Sequence, residues 1–342
     1  MNDALVTDTA ALHRSLLTLD SHIDIPWPDG PDPFTETRRC VDLPKMRRGG
    51  VGCGFFVAYV PQARRTPETE QAAFDRAVAM LHAIRAMGRS EAGINARLAI
   101  TADEIEAARA AGALAIVPVV ENGFAIGADL SRLRRLRDLG ARYLTLTHNG
   151  HNALSDSAIP RPDLGDAPDE HGGLSGLGRE AVAELNALGM LVDVSHVAKS
   201  AMLQAAALSR SPIVASHSCI RALCDHPRNL DDEQLDVMRD AGGVVQITAV
   251  SGFLKLQARP DAVTAADFAD HIDYAVRRIG IEHVGISSDF DGGGGFTGWR
   301  NAADSPNITA ELAARGYDRD ALAALWGGNF LRVLRRAEAL AA

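Results

Sequence analysis

Apolar runs and amphipathic stretches alternate along most of the chain. Leu16, Leu17 and Leu19 lead into Asp20-Ser21-His22-Ile23-Asp24, where the apolar run breaks into polar residues. Apolar stretches at 51–60, 113–120, 143–147, 190–194, 212–215, 243–248 and 283–287 read as seven further buried strands. Residues 68–87 place Phe74, Val78, Leu81 and Ile84 at helical spacing. Thr101 and Glu104 form a capping box that opens the next helix, and a helix over 130–139 closes at Gly140. Further helices are predicted at 178–188, 198–208, 231–240, 263–279 and beyond about residue 307, and a short extra strand at 97–100. Residues 26–50, rich in proline, glycine and charge, read as an excursion. The polar, glycine-rich stretch 149–176 is too long to be a mere connector, and loops of that length tend to carry function.

Eight buried strands alternating with helices predict a (β/α)8 TIM barrel, expected to form one domain over residues 1–342. A doubly wound open sheet is the alternative. It calls for a glycine-rich phosphate loop after the first strand, which is missing. The run Gly292–Gly295 follows the last strand instead, lacks that spacing, and is expected to bend the backbone near the site.

Composition narrows the class. The chain is 46% hydrophobic and 23% charged, an ordinary globular balance for its 342 residues. A net charge of −9 without a basic stripe argues against nucleic acid as a partner. Cys40, Cys53, Cys219 and Cys224 show neither a disulfide framework nor thiolate metal spacing. No secretory signal pattern and no run of about 18 apolar residues is present, so no membrane association and a cytoplasmic location are the expectations.

In such barrels chemistry sits where strands end. The exits carry His22 and Asp24, Glu121, His148, His196, His217 and Asp289, from strands one, three, four, five, six and eight. Alternation puts His22 and Asp24 on one face. A lone histidine or carboxylate at a strand end is ordinarily a hydrogen-bonded or solvated residue. Six such exits around one rim would cost several kcal/mol in repulsion and desolvation without compensating cations. Two ions use the ligands well, with His22 and Asp24 on one, His196 and His217 on the other, and Glu121 bridging. Mixed nitrogen and oxygen ligation fits Zn2+ best, with other divalent ions allowed. Such a pair shares a hydroxide and polarises a carbonyl or phosphoryl oxygen. Asp289 is then left to handle the proton and His148 to hydrogen-bond the developing oxyanion.

These blocks, with Val120-Glu121-Asn122-Gly123, Leu191-Val192-Asp193-Val194-Ser195-His196, Ser216-His217-Ser218 and Ser288-Asp289-Phe290-Asp291-Gly292, resemble the membrane dipeptidase (renal dipeptidase) family of metallopeptidases from about residue 17 to 335. The resemblance implies a zinc-dependent barrel enzyme that hydrolyses the peptide bond of dipeptides through a metal-bridging hydroxide, tolerating a D-residue at the C-terminal position. It implies His22 and Asp24 on the first zinc, Glu121 bridging, His196 and His217 on the second, and Asp289 as the acid/base. His148 would contact the scissile carbonyl oxygen, and Arg228, in Pro227-Arg228-Asn229, would pair with the substrate carboxylate, with Arg221 as its rival. A small-molecule dipeptide is the expected partner, and a homodimer is allowed for.

The chain departs from the family at Ile23, at Asn122 and over 245–250, which leaves the side-chain pockets open but removes no ligand. Two other readings compete. Another binuclear barrel hydrolase (amidase, lactonase or phosphotriesterase) would show His-x-His on strand one and often a bridging lysine. A non-catalytic metal-binding barrel would be expected to have lost Asp289 or a ligand.

Overall fold

The computed structural model describes residues 3–341. Eight strands follow one another in chain order around a nearly closed barrel: β1 (Leu19–Asp24), β2 (Cys53–Tyr59), β3 (Leu114–Glu121), β4 (Tyr143–Thr145), β5 (Leu191–Asp193), β6 (Val214–Ser218), β7 (Val244–Ile247) and β8 (Val284–Ile286). All adjacent pairs along this path are parallel. The seam between the last strand and the first is made just past β8, where Asp24 N–H donates to Phe290 O at 3.0 Å. Every barrel strand predicted from the apolar pattern is present, and the fold is a (β/α)8 barrel.

Neighbouring residues on the strands divide between two cores, as a period of two requires. Phe55, Val117, Tyr143, Leu191, Val214 and Val244 belong to an inner cluster, while Phe56, Ile116, Leu144, Val192, Ala215 and Val245 belong to the layer under the helices. Phe330, on the helix Asn329–Glu338, closes the bottom of the inner cluster and meets Phe55 edge-on at 5.0 Å. Each such fully buried side chain contributes roughly 1.5–3 kcal/mol.

Helices Pro67–Ala86, Ala102–Ala110, Ser131–Asp138, Gly176–Ala187, Lys199–Leu208, Asp232–Asp240 and Ala265–Ile279 lie close to the predicted spans. The capping box at Thr101 and Glu104 is formed. The extra strand falls at Ile94–Leu98 rather than 97–100. It pairs antiparallel with Ser90–Glu91 and parallel with the lower part of β3, a partnership across the chain that local propensity does not encode. Helix Asp3–Ser15 was not expected. His13 in its last turn is buried, with Nδ1 2.6 Å from Thr309 Oγ1 and its ring edge-on to Trp326, so residues 296 positions apart hold it. No helix among the described residues is long and apolar enough to cross a membrane.

The excursion after β1 is tied back to the rim. Asp42 caps helix Leu43–Gly49, and Asp291, beyond β8, accepts from Cys40 N–H (2.9 Å) and Val41 N–H (3.0 Å). Arg39 reaches Asp291 at 3.3 Å and donates to Asp24 O at 3.0 Å.

Candidate metal centre

Asp24, Glu121, His148, His196, His217 and Asp289 line one cavity of about 310 Å³ at the strand exits. His22 sits beneath it, fully buried, with Nε2 3.6 Å from Glu121 Oε2, 3.9 Å from Asp24 Oδ2 and 4.0 Å from Asp289 Oδ1. The other oxygen of Glu121, Oε1, lies 3.1 Å from His196 Nε2 and 3.5 Å from His217 Nε2. Glu121 thus shows one oxygen to β1 and the other to β5 and β6. Three overlapping groups bring their donor atoms within 4.8 Å of one another: His22, Glu121 and His217; Glu121, His148 and His196; His22, Asp24 and Asp289. The seven strand-exit residues singled out from the sequence therefore share one site.

The hydrogen-bond partners decide which ring nitrogens are bare. Tyr143 OH donates its single proton to Ser21 O at 2.9 Å, so towards His22 Nδ1, also 2.9 Å away, it must accept. His22 Nδ1 therefore carries hydrogen, and Nε2 faces the cavity with no hydrogen-bond partner. At His196, Nδ1 donates to Asn149 Oδ1 at 3.1 Å, again leaving Nε2 inward. His196 Nε2 and His217 Nε2 stand 2.9 Å apart, and lone pairs at that separation repel unless a proton or cation lies with them. Bare Nε2 atoms whose Nδ1–H is held from behind are the usual donors to a divalent ion. The residues fit a metal centre.

Charge points the same way. Burial favours neutral His22, but Glu121, Asp289 and Asp24 outweigh it and raise its pKa to about 10. Burial, reinforced by Glu121, pushes the Asp24 carboxyl well above its usual range. Burial likewise raises Asp289 to about 7, with Glu121 adding and His22 opposing. Burial works against ionisation of Glu121, yet His22 and His196 hold its carboxyl well below the usual range. Burial keeps His196 and His217 neutral, their pKa values falling well below the ordinary imidazole value. Negative charge is in excess around His22 Nε2, and a cation there relieves the acids that burial holds protonated.

The backbone is bent to serve the rim. Six non-glycine residues among those described have positive φ, and four of them (Asn122, His196, Asp289 and Asp291) lie at strand exits of this site. Such strain is sustained where the surroundings over-determine it. Gly292 is needed for close approach, since a Cβ there would overlap Asp24 Oδ2 and Asp289 Oδ1. The glycine run turns back on Asp289, whose carbonyl accepts from Gly292, Gly293 and Gly294.

His148 is partly buried, its ring 4.2 Å from that of His196 and 4.9 Å from Tyr59, and burial lowers its pKa. Arg228 is only 3% exposed. It lines an adjoining cavity of about 240 Å³ that also touches His196. One contact holds its guanidinium, Nη2 to His217 O at 3.3 Å, while Nε has no partner. Its ring neighbour is Phe253, 5.3 Å away, and burial lowers its pKa to about 10. Arg221 is 42% exposed in its side chain and already paired with Asp225 at 2.8 Å. The structure thus separates the two arginines by burial and partner. Tyr143, Asn149, Ser216 and Arg39 also shape the site without having been singled out. A tyrosine inside a buried strand was a signal for the first; the others depend on folding.

A barrel whose strand exits gather imidazoles and carboxylates around bare donor atoms has the build of a metal-dependent hydrolase. The sequence profile of the membrane dipeptidases, peptidase family M19, matches residues 6–342, and the chain belongs to that family. It is 34% identical over 305 residues to the dipeptidase aclJ of Aspergillus oryzae, covering 88% of this chain and 71% of that relative. The crystal structure of the probable dipeptidase PvdM from Pseudomonas aeruginosa superposes with a TM-score of 0.94 at 31% identity, covering 100% of both chains. A metallopeptidase from Rhodobacter sphaeroides, solved with a phosphinate mimic of the dipeptide L-Ala-D-Ala, superposes with a TM-score of 0.82 at 28% identity, covering 94% of this chain and 99% of that one. The protein is a dipeptidase of the M19 metallopeptidases.

Proposed function

We propose that this dipeptidase works with two zinc ions, held by His22 and Asp24 on one side and His196 and His217 on the other, with Glu121 between them. The observation that carries the reading is the two-sided placement of Glu121, with Oε2 3.6 Å from His22 Nε2 and Oε1 3.1 Å from His196 Nε2. When bound, such a pair polarises the scissile carbonyl and brings the pKa of water towards neutrality.

The chain's own residues supply the rest. Asp289, on the strained turn after β8, takes a proton at its carboxylate from the attacking water and returns it to the departing amine nitrogen. His148, kept neutral by burial, donates a hydrogen bond to the carbonyl oxygen as negative charge develops there. Arg228 pairs with the C-terminal carboxylate of the dipeptide through its unpartnered guanidinium edge, so that one peptide bond and one free terminus are read together. The substrate class is dipeptides, including those with a C-terminal D-residue, a reading supported by the L-Ala-D-Ala mimic bound to the Rhodobacter relative. Metal analysis of purified protein is expected to find two divalent ions per chain, and chelation to abolish hydrolysis reversibly. Full activity after exhaustive chelation would overturn the two-ion reading.

A further inference from the structure

The barrel interior beneath the metal centre is polar where a barrel of this kind ordinarily packs apolar layers. Asp193, at the end of β5, is fully buried there, does not line the cavity, and forms no ion pair among the described residues, feeling the Arg228 guanidinium only at a distance. Its Oδ1 accepts from Ser195 N–H (3.0 Å) and Ser216 N–H (2.9 Å). Its Oδ2 accepts from Thr145 Oγ1–H and Ser216 Oγ–H, both at 2.6 Å. Four donors, from β4, from β6 and from just past β5, converge on one carboxylate, which satisfies its acceptor capacity. Burying a carboxylate without a cationic partner is costly, so the arrangement asks for a reason.

The reason lies one bond further on. Ser216 has a single hydroxyl proton, and Asp193, an acceptor only, takes it. Towards His217 Nδ1, 2.8 Å away, Ser216 Oγ must therefore accept. His217 Nδ1 is the hydrogen-bearing nitrogen, and Nε2 is left bare towards Glu121 and His196. The same hydroxyl lies 3.4 Å from His22 Nδ1, and Ser195 Oγ, 3.3 Å from it, accepts from the His217 backbone N–H at 3.1 Å. We infer that Asp193 is a positioning residue for the metal centre: acting through the Ser216 hydroxyl, it fixes the tautomer and ring orientation of His217, and so the affinity for the ion on the β5–β6 side. The inference rests on the two-ion reading.

The geometry makes the effect directional. In Asp193→Asn the amide can turn a donor towards Ser216, whose own proton is then free to point at His217 Nδ1. That reverses the tautomer and puts hydrogen on Nε2, where it blocks ligation. His22 keeps its bond to Tyr143 and is not reversed. The test is zinc affinity of the full chain, measured by competition with a chelator, together with the Tm of the metal-free protein. Wild type is expected to hold two ions. Asp193→Asn, and Ser216→Ala as a second variant should the first not fold, are expected to bind one ion about 10–100-fold more weakly while retaining the other. The lost kcat should return when zinc is raised, with KM for the dipeptide unchanged. Wild type holding fewer than two ions would overturn the two-ion reading and this inference together. Wild type holding two, with the variants also holding two at unchanged affinity, would overturn this inference alone. So would equal weakening of both ions accompanied by a fall in the metal-free Tm, which marks a merely structural role.

Discussion

The two ends of the barrel interior are built from the same strands and behave as opposites. At the lower end Leu19, Phe55, Val117, Leu191, Val214 and Val244 pack with Phe330 into an apolar plug. At the upper end, a few residues along those strands, buried imidazoles and carboxylates face one another around a cavity, and His22 Nε2 has no hydrogen-bond partner. The lower end stabilises the fold by removing apolar surface from water. The upper end costs stability, since burial holds Asp24 and Asp289 above their usual range until a cation arrives. A rigid apolar floor is what allows an unfavourable rim to persist in one geometry.

Substitution at each end should therefore fail in different currencies. The largest effect is expected at the rim. Asp289→Asn should keep both ions and the folded-state Tm yet lose about 10²–10⁴-fold in kcat, read by steady-state kinetics alongside metal analysis. Loss of metal in that variant would make Asp289 chiefly a ligand. At the floor, Phe330→Ala should cost about 3–5 kcal/mol of unfolding free energy by denaturant titration, with kcat per folded molecule near wild type. A large fall in kcat there would show that the two ends are mechanically coupled.

A smaller loss is expected at the substrate's end. Arg228→Met, or amidation of the dipeptide's C-terminus, should each lower kcat/KM about 10²-fold, the scale of a charged hydrogen bond worth about 3 kcal/mol. Combining the two should add little, because both delete the same contact. Losses that multiply would move the role to Arg221.

The smallest effect is the response of the chelated protein to pH. Asp20 is raised to about 6 by burial, and Asp289 to about 7. Both carboxyls bind protons more tightly folded than unfolded, so the folded state holds more protons between about pH 4 and 7. Stability is greatest below the unfolded carboxylate pKa and falls as pH rises through the folded values. His22, raised to about 10, has the same sign at higher pH. It stabilises fully below about pH 6.5 and loses that contribution as pH rises through 10. Calorimetry of chelated protein should show Tm falling by a few degrees from pH 5 to 8. Zinc should flatten the Asp289 and His22 part of that slope while leaving the Asp20 part, and an equal slope with zinc would mean that neither group senses the ion.

Much of this was legible in the chain before folding. Alternation and helical periodicity are local properties, so eight strands, their order and the chemistry-bearing residues at six of the exits could be read from residues 16–290. That His22 and Asp24 share a face follows from the period of a strand alone. Helix Asp3–Ser15 was not legible, because its docking rests on His13, Thr309 and Trp326, which meet only when the two ends of the chain do. The distinction between Arg228 and Arg221 was likewise out of reach. Both follow β6 on one loop, and only packing against Phe253 and the carbonyl of His217 buries one and leaves the other at the surface. Asp193 stood in plain view among buried apolar residues, but its meaning needed Thr145 and Ser216 from the two neighbouring strands, with Ser195 beside it. Sequence determined which chemical groups stand at the strand ends, because strand and helix periods are set within a few residues. Tertiary structure decided which nitrogen of His22, His196 and His217 faces the cavity and which arginine is buried, because hydrogen-bond partners and desolvation are set by residues distant in the chain.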